Sequence, residues 1–561
     1  MEKIIRIDMT NLNVKVEESP EEYKLLGGRG LSARILNAEV PATIHPLSGE
    51  NKLVVAPGLL AGTMAPSFGR ISMGAKSPLT GTIKESNAGG TAGQKLDMLN
   101  IKAIVIEGKP REKKTYIVFI DPKGVQVMPA PELSGAMNYD LVRRLRDRYG
   151  KDIGVISIGP AGEAKMTAST IAVTDQDGRP SRHAARGGLG AVAGSKGIKA
   201  IVINAKGTEH VEIQNKELFK ETVRDLIEII KQDKGVQGTS KLGTPAGIKF
   251  LSKLGSMPSW NYHGGAVKNI ENIFGDAISK TNQSRGGKMH GCMPGCVVQC
   301  SIVFNGSDKN HLTSALEYET LAMLGTNLGI ANLDAIAQMD RLCDDLGVDT
   351  IETGSAIAQL MEAGIIQFGD EEKVIKILED LGTGDTIGKI IGQGCAFTAQ
   401  FLGLDRVPVS KGQAFPAHDP RACKAVGVTY STSPMGADHT AGIDYTDSLS
   451  PEGQVKRSLD IQILSAAIDT VGYCMLALPS KGSLIYDIIA KLINGRYGTG
   501  LSKEDILNIG RNTIKEELSF NHSAGWTDIQ NRLPEFMKTE KLPPHDVVFD
   551  VPQDEIDSIF D

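Results

Sequence analysis

A run of about 18 consecutive apolar residues, the length that crosses a bilayer, occurs nowhere in the 561 residues. The opening residues, Met1-Glu2-Lys3-Ile4-Ile5-Arg6-Ile7-Asp8, thread charges through their apolar positions and form no apolar signal core. The expectation is a cytoplasmic protein without a membrane partner. Surplus positive charge is also missing. Sixty-one basic against 67 acidic residues leave a net charge of -6, so there is nothing to neutralise a polyphosphate backbone and no nucleic-acid partner is expected. Cysteine is scarce and odd in number. Three of the seven, Cys292, Cys296 and Cys300, crowd into nine residues, which suits metal binding in a reducing compartment better than a disulfide framework. No solenoid repeat and no low-complexity tract interrupts the chain. Hydrophobic residues at 41% and charged residues at 23% lie near the globular norm and argue against extensive disorder.

Glycine, by contrast, is plentiful, with 63 residues clustered between apolar runs. Short β-rich segments bounded by turn residues dominate the first part: Ile4 to Met9, Asn11 to Val16, Leu53 to Ala56, Ala103 to Glu107, Thr115 to Asp121, Gly154 to Gly159 and Ala200 to Ile203. The period changes after Asn215. Leu218, Phe219, Val223, Leu226, Ile227 and Ile230 fall on one helical face that ends before Gly235, and helices are predicted from there on. A proline-bearing connector spans Pro408 to Pro420. The reading is an α+β protein with a β-rich domain over 1–207, a helical domain over 208–415 and a helical C-terminal domain over 416–561. One internal echo stands out. Asp344-Asp345-Leu346-Gly347-Val348-Asp349 and Asp469-Thr470-Val471-Gly472-Tyr473-Cys474 share D-x-x-G-x-[D/C], each after an apolar helical pattern, as helix ends that present a carboxylate beside a glycine turn would.

The strongest chemical signal is Gly291-Cys292-Met293-Pro294-Gly295-Cys296-Val297-Val298-Gln299-Cys300. Three soft thiolates in a short irregular segment can hold three corners of an iron-sulfur cluster while a distant cysteine holds the fourth. A structural zinc site would show paired Cys-x2-Cys units, and only His290 stands near to replace one. The second gap also departs from the Cys-x3-Cys-x2-Cys spacing of radical enzymes. Cys343, Cys395, Cys423 and Cys474 compete as the fourth ligand. Three glycine-rich segments precede this signal: Gly27-Gly28-Arg29-Gly30, Ser86-Asn87-Ala88-Gly89-Gly90 and Arg186-Gly187-Gly188-Leu189-Gly190 through Lys196. Glycine lets backbone N–H groups approach a phosphate, and a neighbouring arginine can fork onto it. None is a Walker A loop, since Gly194-Ser195-Lys196 inverts the serine and lysine, and none keeps the dinucleotide spacing.

Taken in order, Gly27-Gly-Arg-Gly-Leu31, Phe68-Gly-Arg70, Lys76-Ser-Pro-Leu-Thr-Gly81, Ser86-Asn-Ala-Gly-Gly90, the Arg186 to Lys196 loop, the cysteines, Glu317-Tyr-Glu-Thr320, both D-x-x-G motifs and Leu533-Pro-Glu-Phe536 resemble the aldehyde ferredoxin oxidoreductase family over essentially the whole chain. The resemblance implies three domains, a tungsten or molybdenum bis-pyranopterin cofactor on an N-terminal base, Mg2+ bridging the pterin phosphates, and one [4Fe-4S] cluster. It implies pterin contacts at Arg70, Asn87, Arg186 and Gly187, and pterin-directed carboxylates at Asp344 and Asp469 with Gly347, Asp349 and Gly472 in the same motifs. Cys474 becomes the fourth cluster ligand beside Cys292, Cys296 and Cys300, although the first cysteine gap is one residue longer than in the best-known members. Glu319 is the expected general base, with Glu317 in reserve, and His439 the group that polarises a carbonyl oxygen. The implied activity is oxidation of a small aldehyde to a carboxylic acid, with electrons passed to ferredoxin or a small iron-sulfur subunit; a homodimer is compatible with it. Two alternatives compete: the same cofactor used to reduce an activated acid, and a non-catalytic iron-sulfur electron carrier.

Overall fold

The computed structural model describes residues 2–208, 211–480 and 482–561. Its N-terminal part is built twice. The first unit runs β1 (Lys3–Asp8), β2 (Asn13–Glu18), α1 (Gly28–Glu39), β3 (Leu53–Pro57), β4 (Ile71–Lys76), β5 (Ile83–Ala88), α2 (Ala92–Met98) and β6 (Ile101–Glu107). The second runs β7 (Tyr116–Asp121), β8 (Gly124–Pro129), α3 (Asn138–Tyr149), β9 (Gly154–Ser157), β10 (Ile171–Val173), β11 (Arg182–Ala184), α4 (Leu189–Ser195) and β12 (Ile198–Ile203). The sheet orders are β2-β1-β6-β3-β4-β5 and β8-β7-β12-β9-β10-β11. In each, only the pair formed by the first and last strands, β1 with β6 and β7 with β12, is parallel.

Alternation of side chains along the strands gives each sheet two apolar faces. Ile5, Ile7, Val55, Met73, Ile104 and Ile106 of the first sheet share one core with Val118, Ile120, Ile156, Val173, Ile201 and Ile203 of the second. The opposite faces are covered separately: Ile4, Val54 and Val105 by α1, and Ile117, Val155 and Val202 by α3. Strands buried on both faces read as continuous apolar runs, which is why β3, β6 and β12 are legible in the sequence.

Helices follow. Asn215 accepts from the Leu218 N–H at 3.1 Å and starts α5 (Lys216–Gln232), whose Phe219, Val223, Leu226 and Ile230 are buried. The short α6 (Tyr318–Met323) precedes α7 (Leu333–Leu346); α8 (Gln454–Val471) and α9 (Lys503–Ser523) pack on each other and on α1. The region after Asn215 is not wholly helical. β13 (Lys288–His290), β14 (Ser301–Asn305) and β15 (His311–Ser314) form a third antiparallel sheet, with the cysteine loop between its first two strands. Among the described residues no helix is long and apolar enough to cross a membrane.

Candidate cofactor and active site

Both D-x-x-G motifs are helix C-termini that dock on the N-terminal base. α7 ends at Gly347 with φ 72° and α8 at Gly472 with φ 81°, the left-handed position that glycine occupies without a Cβ penalty. The Arg70 N–H donates to the Gly472 carbonyl at 3.2 Å, and the Thr170 N–H to the Gly347 carbonyl at 2.9 Å. A Cβ on Gly58 would lie 2.2 Å from Gly472 Cα, and one on Gly159 would lie 2.2 Å from the Leu346 carbonyl oxygen, so each turn is seated against a bare backbone.

The expected pterin contacts gather at these turns. Asn87 Nδ2 donates to Asp469 Oδ1 at 3.1 Å, and Arg70 binds both the side chain of Asn87 and its carbonyl, the latter at 3.1 Å. Arg29 Nη1 reaches Asp469 Oδ2 at 3.4 Å while it grips Glu517 of α9 through two bonds of 2.8 and 2.9 Å. Burial pushes the Asp469 carboxyl up to about 6 against the pull of Arg29 and Arg70, and burial together with Asp469 pushes nearby Glu85 up to about 8. Around the other turn, Asn138 donates to the Asp344 carbonyl at 2.9 Å and His183 Nε2 lies 3.0 Å from Asp344 Oδ1. Arg186 donates to the Ala414 carbonyl at 2.8 Å and stands 3.1 Å from Asp349 Oδ2 without hydrogen-bond alignment. Gly187, with φ 87°, packs on the Lys84 side chain. Asp349 has a second duty, since its Oδ1 accepts from the Ile351 N–H at 3.0 Å and starts the helix Thr350–Glu362.

The four cysteines are brought together by backbone. The Ser67 N–H donates to the Gly295 carbonyl at 3.1 Å, and the Ser67 carbonyl accepts from the Cys474 N–H at 2.9 Å, so one residue ties the cysteine loop to the second D-x-x-G turn. Gln176 Nε2 holds the loop from its other side through the carbonyls of Gly291 at 2.8 Å and Met293 at 2.9 Å. The thiols sense one another. Its bond with Cys296, and burial, push the Cys292 thiol well above the ordinary range, while the same bond pulls Cys296 down, and Cys300 and Cys474 are raised chiefly by burial. They do not converge as single-ion ligands: among the described residues no three His, Cys, Asp or Glu side chains do. His290 turns instead to Asp175, 3.3 Å away. Cys343 is buried in the main helical core, the Cys395 N–H donates to Glu352 Oε1 at 2.8 Å, and the Cys423 thiol bonds Ser256, so of the four candidates only Cys474 joins the loop.

Glu319 and His439 also meet. Glu319 Oε2 accepts from the Ala417 N–H at 2.7 Å, and Oε1 lies 3.2 Å from His418 Nε2 and 3.8 Å from His439 Nε2. Burial would raise this carboxyl, but His439, His418 and the Ala417 N–H outweigh it and pull it down to about 2. Glu319 is therefore ionised at neutral pH, the form in which a base begins. Burial holds His439 below the usual imidazole range. Glu317 is engaged elsewhere: its Oε2 accepts from Thr244 Oγ1 at 2.6 Å and its Oε1 faces Arg182 at 3.5 Å. His418 is a residue that the sequence reading misses. Tyr318 stacks on it with ring centroids 5.1 Å apart, and the Tyr445 hydroxyl lies 3.1 Å from its Nδ1. Its place two residues before Pro420, inside the proline-bearing connector, hid it; the run Ala417-His418-Asp419-Pro420-Arg421 was the available signal.

A test of fit comes from buried polar atoms without partners. Asp344 Oδ2, Glu85 Oε1, His439 Nδ1 and Arg186 Nη1 are all in this state. Each such group costs about 1 to 3 kcal/mol unless something else satisfies it. The set pairs carboxylate acceptors with guanidinium donors, as a group carrying both ring N–H donors and phosphates requires. Asp344, Asp469, Arg186, Arg70 and Asn87 could hold such a group, and Cys292, Cys296, Cys300 and Cys474 could hold a cluster beside it.

A duplicated sheet base carrying two docked carboxylate turns, with a cysteine loop joined to one of them and a half-buried carboxylate-imidazole pair, is the architecture of a family of oxidoreductases. The chain belongs to the aldehyde ferredoxin oxidoreductase family: the model of that family's N-terminal domain matches residues 4–205 and that of its domains 2 and 3 matches residues 221–558. It is 31% identical to the tungsten-containing aldehyde ferredoxin oxidoreductase of Pyrococcus furiosus over 96% of this chain and 92% of that protein. The enzyme of the same description from Thermococcus kodakarensis is likewise 31% identical over 96% and 92%. A WOR-like subunit of an aliphatic sulfonate oxidoreductase from Pyrococcus furiosus is 29% identical over 78% of this chain and 74% of its own length. In fold, the chain is similar to the active site complex BamBC of benzoyl coenzyme A reductase, with a TM-score of 0.81 at 18% identity over 95% of this chain and 90% of that one.

Proposed function

We propose that the protein oxidises a small aldehyde to its carboxylic acid at a tungsten or molybdenum bis-pyranopterin centre, and that two electrons leave singly through a [4Fe-4S] cluster to ferredoxin or a similar small iron-sulfur carrier. The overall change takes up water and releases two electrons and two protons for each aldehyde converted to acid. When bound, the metallopterin would supply the two-electron redox chemistry, and the protein supplies position and proton handling. Asp469 and Asp344 would accept from pterin N–H groups, and Arg186 with Gly187 would meet the pterin phosphates. Glu319 would take the substrate's proton, and His439, on the same side of that carboxylate, would donate to the carbonyl oxygen. His418 and the Ala417 N–H orient Glu319.

The single observation that carries this reading is the position of Arg70. Its N–H donates at 3.2 Å to the carbonyl of Gly472, two residues before Cys474, while its guanidinium holds the side chain and the carbonyl of Asn87. Asn87 in turn bonds Asp469, so one half-buried arginine links the turn that carries Cys474 to a pterin-directed carboxylate. A protein that used its cysteines only as an electron carrier would have no need of that link, nor of the unpartnered carboxylates. Anaerobic purification, metal analysis, pterin fluorescence and a dye-linked aldehyde assay test the reading together. Metal and pterin without aldehyde-dependent dye reduction would leave reduction of an activated acid as the reaction to assay. Iron without pterin would overturn the proposal.

A further inference from the structure

The two units of the base correspond residue by residue around the docked turns. β4 faces β5 with Ile71 opposite Ala88 and Ser72 opposite Asn87, and β10 faces β11 with Ile171 opposite Ala184 and Ala172 opposite His183. Arg70 therefore corresponds to Thr170, and Asn87 to His183. Their backbones already behave alike, since Arg70 and Thr170 each donate an N–H to the glycine carbonyl of one D-x-x-G turn. Their side chains form parallel series. In the first unit Arg70 holds Asn87, and Asn87 donates to Asp469 Oδ1 at 3.1 Å. In the second, Thr170 Oγ1 lies 2.7 Å from His183 Nδ1, and His183 Nε2 lies 3.0 Å from Asp344 Oδ1, with the Pro180 carbonyl 3.1 Å away as a second acceptor. A hydroxyl that donates to Nδ1 fixes the tautomer that carries its proton on Nε2, toward Asp344. Asp344 Oδ2 is left buried and unpartnered.

We propose that His183, oriented by Thr170, is a positioning residue for Asp344, doing in the second unit what Asn87 does for Asp469 in the first, so that Asp344 Oδ2 is presented to the second pterin. This rests on the metallopterin reading above and adds a residue outside the motifs that support it. The chemistry requires only a side-chain N–H at this place, and the sister position supplies one from an amide. The test is pterin and metal content per chain, with iron content and circular dichroism as controls, for anaerobically purified wild type, His183→Ala, His183→Asn and Thr170→Val. His183→Ala should lose about half or more of the pterin at unchanged iron; supporting partners of this kind commonly change metal affinity about 10- to 100-fold. His183→Asn should restore wild-type content, which a merely space-filling histidine would not predict. Thr170→Val, which removes only a hydroxyl, should also lower pterin and serves if His183→Ala does not fold. Full pterin in His183→Ala or Thr170→Val, or equal loss in the alanine and asparagine variants, would overturn the proposal. Wild-type protein devoid of pterin would instead overturn the reading on which it rests.

Discussion

Gly58 and Gly472 meet with no room for a methyl group, since a Cβ on Gly58 would stand 2.2 Å from Gly472 Cα and 2.4 Å from its nitrogen. Both partners are backbone and cannot rotate away. Gly472 is the turn between Asp469 and Cys474, so this contact fixes together the carboxylate and the thiol that we propose for the pterin and the cluster. Gly58→Ala should therefore destabilise the protein by at least the roughly 1 to 3 kcal/mol of core overpacking and lower its iron and sulfide content. Gly159→Ala, which meets the Leu346 carbonyl at 2.2 Å, should destabilise similarly but leave iron unchanged, because no cysteine ligand follows that turn. Thermal unfolding beside iron analysis separates them, and equal iron loss in both would count against the division of labour between the turns.

How much of this arrangement the sequence discloses depends on where apolar residues do the work. The β-branched runs of β1, β3, β6, β7 and β12 announce strands because they are buried by neighbours of the same kind. β4 and β5 do not, because Ser72, Gly74, Lys84 and Glu85 are buried by specific partners: Lys84 by Asp438, and the Ile83 N–H by Asn521 at 2.8 Å. The duplication of the base is invisible for a related reason. Arg70 and Thr170, or Asn87 and His183, occupy equivalent places with different chemistry, so only the backbone pairing reveals them. The motif residues of the candidate site are legible in the sequence, whereas His418 and His183 stand in no motif and declare themselves only through the contacts they make.

Cys474→Ala should abolish or convert the electron paramagnetic resonance signal of a reduced [4Fe-4S] cluster, because only this distant thiol reaches the loop cysteines. Cys343→Ala provides the contrast, since Cys343 packs in the helical core beside Asp340 and Asp344. A wild-type spectrum from Cys474→Ala, or loss of signal in Cys343→Ala alone, would transfer the ligand role.

Lys196, which looked from the sequence like a misplaced phosphate-loop lysine, is fully buried, and its ammonium donates to the Asn51 carbonyl at 2.5 Å. Burial pulls its pKa down to about 7. Between there and its ordinary value of about 10.4 the unfolded chain binds a proton that the folded chain does not, so this group makes stability rise with pH across that window. Below about 7 its cost is constant. Lys196→Met should flatten the profile between about pH 7 and 10, removing a slope of up to about 1.4 kcal/mol per pH unit. Denaturant unfolding of both proteins at several pH values measures the difference, and parallel profiles would show that Lys196 keeps its proton when buried.

Glu319→Gln should retain metal and iron but lose about 100- to 10,000-fold in aldehyde-dependent dye reduction, the usual worth of general acid-base catalysis. The substitution preserves size and can still meet the Ala417 N–H through its carbonyl, so packing is spared while basicity is removed. Glu317→Gln should stay near wild type in turnover, because that carboxylate is occupied by Thr244 and Arg182. His418→Gln supplies the sign of the electrostatics. Glu319 is held at about 2 in part by His418, so removing the imidazole must raise its pKa and bring the acid limb of the pH-rate profile upward toward neutrality. A limb that stays in place would mean that His439 and the Ala417 N–H suffice to hold the charge. Full turnover in Glu319→Gln would remove it as the base, and with Glu317 already engaged elsewhere, His439 would become the residue to replace next.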